Sequence, residues 1–179
     1  MTTGDKVSAN TSAEGWLTEG LRHRAELAGT RPGWRYATLA TLLLDVGRLF
    51  TPAPWPDGGS PPGELGRCFV ESVSWAWASA GELAYIEGWA LDPGIVDHVA
   101  HAWCAGADGT ARDTTWPTPG LAYLGLPVRA ELAKDLMLEN FGPLLHGQDG
   151  MISGLAERWM REGVPGEFLV DIGRPVSRS

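Results

Sequence analysis

The sequence predicts an α+β fold, and three observations carry that reading. Residues 68–78 place Phe69, Val73, Ala76 and Trp77 at the three-and-four spacing of one helical face. Residues 99–104 and 110–116 read as two strands joined by Ala107-Asp108-Gly109, a turn whose Gly is placed for positive φ. Helical periodicity flanks this centre on both sides, so the expected architecture is a helix packed on an antiparallel sheet, with additional N- and C-terminal helices.

Each element follows from local chemistry. Residues 1–10 are expected to form a disordered tail and residues 11–179 a single domain, since 179 residues with 44% hydrophobic content suit one well-packed core. Thr11-Ser12-Ala13-Glu14 fits a capping box and starts a helix carrying Trp16, Leu17, Leu21 and Leu27. A second helix is expected from Trp34 to Phe50. The stretch from Thr51 to Gly63 is rich in Pro and Gly and is expected to be irregular. It is either a connector between helices or a substrate-cleft wall to which Trp55 contributes an apolar surface. Residues 82–91 read as the first strand, ended by Asp92-Pro93-Gly94, with Tyr85, Glu87 and Trp89 on one face. Helices are expected near Arg129 to Asn140 and Gly150 to Arg161, with a closing strand over 168–172.

Composition narrows the partners. A net charge of −8, with Lys and Arg scattered, disfavours nucleic acid and anionic membranes. Met1-Thr2-Thr3-Gly4-Asp5-Lys6-Val7 lacks the apolar core of a signal peptide, and Leu39 to Leu44 is an apolar run far short of a membrane span, so a cytoplasmic protein is expected. The 2 cysteines make no disulfide framework, and a reducing compartment suits a working thiol.

Cys68, His101 and Asp113 are the candidate catalytic residues. Cys68 falls in the first turn of its helix, after the turn-like Gly63-Glu64-Leu65-Gly66-Arg67, where unpaired backbone N–H groups and the helix dipole favour a thiolate. The alternative for a lone cysteine is a small buried hydrophobe. Hairpin register then decides the third member. A two-residue Asp108-Gly109 loop sets Asp113 opposite Cys104, its carboxylate on the face away from His101. A three-residue loop with Gly109 left-handed sets Asp113 opposite Trp103, diagonal to His101 on the same face. The three-residue loop is the expected one, and Asp113 would then hold the His101 tautomer.

These residues also carry a resemblance. Gly66-Arg67-Cys68-Phe69, Ile86-Glu87-Gly88-Trp89, His101-Ala102-Trp103 and Asp113-Thr114-Thr115-Trp116 resemble, in order, the motifs of the transglutaminase-like superfamily over about a third of the chain. Together with Tyr123-Leu124-Gly125-Leu126-Pro127 they also resemble small, largely uncharacterised bacterial and phage proteins. The resemblance implies a papain-like arrangement and thiol chemistry on amides. The chain departs from the pattern at Thr114, where Pro is usual, and at Arg67, where the eukaryotic cross-linking enzymes often have Gln.

The expected function is cysteine-dependent acyl transfer or hydrolysis at a carboxamide or peptide bond, through a Cys68-His101-Asp113 triad and a thioester. The alternative is a non-catalytic binding or phage-associated accessory protein that retains the fold. Trp55, Glu87, Trp103 and Trp116 are the expected substrate-binding residues. Glu87 is alternatively a solvated or ion-paired strand residue, and Trp103 and Trp116 packing residues. No cofactor or metal is expected: His101 and Cys104, three apart on a strand, face opposite ways, and no Gly-rich phosphate loop is present. Cys104 reads as packing inside the sheet, and His23 and His146 lie in helix or loop contexts with no matching partner. Cys68 lacks the Cys-x-x-Cys spacing of a thiol-redox protein.

Overall fold

The computed structural model describes residues 3–56, 63–95, 97–147 and 151–177, with side chains from residue 13 onward. The fold is mixed α+β. In chain order it runs α1 (Thr3–Ala28), α2 (Leu39–Val46), β1 (Arg48–Ala53), α3 (Cys68–Ala78), β2 (Leu83–Leu91), β3 (His98–Gly106), β4 (Thr110–Arg112), β5 (Ala122–Val128), α4 (Ala130–Glu139), α5 (Gly154–Glu162), a single 3-10 turn at Gly166–Phe168, and β6 (Arg174–Pro175). No helix among the described residues is long and apolar enough to cross a membrane.

The sheet has the order β4-β3-β2-β5-β1-β6, and β1 also pairs with β4, which closes the first five strands into a barrel. All ladders along that order are antiparallel, whereas the closing β1–β4 pair is parallel. Strand alternation divides the side chains into two sets. Phe50, Ile86, Trp103, Ala111 and Tyr123 fill one cluster, the barrel interior. Tyr85, Ala102, Cys104, Leu126 and Val128 face the other way and pack with residues of α2, α3, α4 and α5. Leu17 and Leu21 of α1 pack with Leu49, Leu91, Ala122 and Leu124 in a third cluster.

Several expectations change. The first helix begins at Thr3, replacing the disordered tail at 1–10 for the described residues, because no Pro precedes Pro32 to break the backbone upstream of Thr11. The capping box lies instead at Thr38 and Thr41, whose side chains exchange hydrogen bonds with each other's backbone N–H at the start of α2. The expected helix 34–50 shrinks to Leu39–Val46. Gly47 sits extended just after it, where a Cβ would collide with the Leu43 carbonyl, and so turns the chain into β1. Strand β1 takes in Thr51-Pro52-Ala53, expected to be irregular. Pro52 is tolerated because Thr51 supplies the N–H that meets the Gly109 carbonyl. Residues 57–62 of the proposed cleft wall lie outside the described residues.

Strand β5, which the hydrophobic pattern did not announce, is buried at every position and lies between β2 and β1. The expected closing strand at 168–172 is a 3-10 turn followed by an extended stretch in which Leu169 bridges Val128.

Gly88 on β2 pairs with both His101 and Gly125, and a Cβ there would run into the Leu124 carbonyl and the Gly125 Cα. The barrel wall opposite His101 is therefore built on backbone contact. Gly88→Ala is expected to destabilise the protein by ~3 kcal/mol through overpacking, read as a lower urea midpoint with an unchanged m-value.

Candidate active site

Cys68 is the first residue of α3 and is 6% exposed. Gly66, with φ of +85°, makes the turn into the helix, a conformation a side chain would disfavour. The helix is tied to the hairpin by two contacts one turn further on. The Ser72 and Thr114 hydroxyls lie 2.8 Å apart, and the Cys104 thiol donates to the Ser72 carbonyl at 3.3 Å. Thr114, the departure from the Pro of the resembled motif, thus has a hydroxyl partner that Pro would lack.

The β3–β4 turn sets the other two residues. Gly109 has φ of +73° and its N–H reaches the Gly106 carbonyl at 3.0 Å, so the loop between the strands is Ala107-Asp108-Gly109. Cys104 pairs with Arg112, the register the three-residue loop requires. Asp113 follows immediately, and its Oδ2 lies 2.7 Å from His101 Nε2. His101 and Asp113 are 2% and 1% exposed.

Asp113 is surrounded by donors. Its Oδ1 accepts the Thr115 and Trp116 backbone N–H groups at 2.9 and 2.8 Å, an Asx-type turn. Its Oδ2 also accepts the Tyr123 hydroxyl at 2.9 Å, and that hydroxyl accepts the Gly120 N–H at 2.6 Å. The Trp55 indole N–H donates to the Asp113 backbone carbonyl. Tyr123 is a positioning residue that sequence reasoning missed. The only hint was its place in an aromatic stretch after the Asp, and nothing local pairs residue 123 with residue 113. The Trp116 ring stacks on His101, centroids 4.0 Å apart and planes 16° from parallel.

These contacts set the electrostatics. Burial opposes a charged His101, but hydrogen bonds to Asp113 and Cys68 and the attraction of both groups outweigh it and raise its pKa from 6.5 to about 9. Burial likewise opposes ionised Asp113, and its His101 partner with the Thr115 and Trp116 amides outweighs that, holding its carboxyl below the usual carboxylate range. Because Asp113 occupies Nε2, Nδ1 is the ring nitrogen left for the Cys68 thiol. By contrast, burial pushes the Cys104 thiol up to about 12.

Of the residues expected to bind substrate, Trp55 and Trp116 lie together, lining a depression with Ala53, Pro54, Asp113, Pro117 and Pro119. Trp103 and Glu87 do not line it. Trp103 is fully buried because it alternates onto the barrel-interior face, with Phe50 and Tyr123 at centroid distances of 5.9 and 4.9 Å. Glu87 is fully buried on the opposite face. Its Oε2 accepts the Tyr85 hydroxyl and the Leu144 N–H, both at 2.8 Å. Its Oε1 accepts the Leu145 N–H at 2.8 Å, the His146 N–H at 3.0 Å and His146 Nδ1 at 3.1 Å. The expectation that His146 has no partner is therefore corrected, as is the cleft-lining role for Glu87. A strand Glu and a loop His nearly 60 residues apart give no local signal of their pairing.

Comparison of the chain with family models, with curated proteins and with solved structures gives no match.

The raised His101 pKa fixes a pH signature. Its stabilisation is fully present below about 6.5 and is lost as pH rises through about 9. The lowered Asp113 pKa gives the same contact an acid limit, with stabilisation present above 3.8 and lost as pH falls through the lower folded value. Asp113→Asn is expected to cost about 3 kcal/mol near pH 6, as for a broken buried pair, and much less at pH 10. Urea unfolding of both proteins across pH measures the gap. A gap that does not narrow at high pH would contradict the assignment.

Proposed function

We propose that the chain is a transglutaminase-like cysteine enzyme of papain-like arrangement, acting on a carboxamide or peptide bond of a peptide or protein. One observation carries this reading: a buried Asp113–His101 pair at 2.7 Å whose remaining imidazole nitrogen is offered to a thiol at a helix start. That is the relay a nucleophilic thiol needs, with the acid orienting the base and the base serving the nucleophile.

In the proposed reaction Cys68 and His101 react as a thiolate–imidazolium pair, with the thiol proton resting on His101 Nδ1 as the sulfur attacks the acyl carbon. The Cys68 N–H stands at the helix start, where backbone donors lack intrahelical partners, and it supports the developing oxyanion. Collapse breaks the C–N bond, the departing nitrogen takes the proton from His101, and a thioester remains on Cys68. Water or an amine then attacks the thioester, with His101 accepting its proton as the C–S bond breaks and the thiolate–imidazolium pair is restored. Water gives hydrolysis and an amine gives transfer. Asp113 keeps His101 oriented throughout, and the stacked Trp116 ring restricts its tilt.

The accessory-protein reading draws on a different observation: Cys68 is only 6% exposed. Alkylation separates the two. Iodoacetamide at pH 7 is expected to label Cys68 and leave Cys104 unmodified, and His101→Ala is expected to slow Cys68 labelling by on the order of 100-fold, the lower range of general-base effects. Peptide mapping over a time course measures both. Labelling of Cys68 at the same rate in folded His101→Ala would reject the enzyme and favour the accessory reading.

A further inference from the structure

The depression lined by Trp55 and Trp116 adjoins the triad, and the reaction proposed above makes no use of it. Its two indoles are packed against different elements. The Trp55 ring lies 5.5 Å from that of Trp75 on α3, and the Trp116 ring lies 4.0 Å from that of His101 on β3. Between them, with Ala53, Pro54, Pro117 and Pro119, they enclose about 190 Å³. That is room for one side chain, short of the roughly 300–1,000 Å³ of a pocket for a drug-sized ligand.

The polar groups of the lining are already spent. Pro54, Pro117 and Pro119 have no N–H to give. The Trp55 indole N–H meets the Asp113 backbone carbonyl, and the Trp116 backbone N–H meets Asp113 Oδ1. The Asp113 carboxylate also accepts from His101, Tyr123 and Thr115, and the His101 imidazolium balances its charge. A charged or strongly polar occupant would give up its water with no partner to replace it. What the depression offers is contact with two indoles and three pyrrolidine rings, where a flat apolar ring adds edge and offset stacking to its burial. Trp116 ties this space to the chemistry, because the ring that helps line it also stacks on the catalytic base.

We infer that the depression is a specificity subsite for an aromatic side chain of the peptide substrate, within a few residues of the amide that reacts. This rests on the thiol chemistry proposed above and names the substrate class of that site: a peptide amide flanked by Phe, Tyr or Trp.

Iodoacetyl peptide amides that carry Phe one, two or three residues from the reactive carbon, with Gly elsewhere, test this on the full chain. At one of these positions Phe is expected to speed Cys68 labelling by roughly tenfold over the all-Gly reagent, as burial of much of an aromatic side chain allows. Lys or Asp at that position is expected to give no such gain. Pro117→Glu sets a carboxylate at the lining and is expected to lower the ratio of Phe to Gly rates severalfold, as is Trp55→Ala, with Pro117→Glu carrying the test should Trp55→Ala not fold. Equal rates for Phe and Gly at all three positions overturn the inference. A larger gain with Lys also overturns it, since the indoles would then serve a cation, as does a ratio unchanged in folded Pro117→Glu. Failure of the underlying enzyme reading is seen separately, as Cys68 labelling by the all-Gly reagent that is absent or does not depend on His101.

Discussion

Register across the β3–β4 hairpin governs the candidate site. Side chains alternate faces at every residue, so a slip of one position would turn Asp113 to the far side of the sheet from His101. The three residues Ala107-Asp108-Gly109 prevent that slip. Gly109 adopts the left-handed φ that closes the loop, and Asp108 Oδ1 holds the Thr110 N–H and hydroxyl at 3.0 and 2.7 Å. The same turn serves the barrel, since the Gly109 carbonyl receives the Thr51 N–H that begins the parallel β1–β4 closure. Site geometry and barrel closure are two results of one local conformation.

Among the described residues two carboxylates are buried, Asp113 and Glu87, and both are stable there because donors surround them. Asp113 takes its donors from the turn that follows it and from Tyr123, leaving one direction for His101. Glu87 takes most of its donors from three successive backbone amides of the loop at 144–146, so it anchors chain as much as side chain. Each carboxylate holds one imidazole, and the rings face opposite sides of β2. Asp113 is close to His101 in sequence and was found from the motif; Glu87 reaches its partner across most of the second half of the chain.

What the sequence made legible followed from range. The helix start at Cys68, the Gly109 turn and the Asp113 register each depend on a few neighbouring residues, and each was readable. Trp55 and Trp116 could be placed near the site because they flank its motifs. Trp103 was assigned to substrate binding because alternation shows which residues share a face but not that this face lies inside a closed barrel. That closure depends on β1, whose Pro52 argued against a strand, and on β5, whose uniformly apolar residues lack the alternation that marks a half-exposed strand. Tyr123 and His146 gained their roles only through contacts made by tertiary folding.

The barrel closure also has a kinetic consequence. The β3–β4 hairpin, closed by a three-residue loop, is the most local ladder in the sheet, and the nine-residue β2–β3 ladder joins successive strands across a short connection. β1 instead meets residues 110–112 through β4, residues 123–125 through β5 and residues 174–175 through β6. Each of those contacts closes a long loop of chain before it returns any energy, and folding rates fall as such non-local contacts dominate. Docking of β1 is therefore the late and slow event of folding. Until it occurs, Thr110–Arg112 has an unpaired edge, and the newly formed hairpin is open to pairing with another chain.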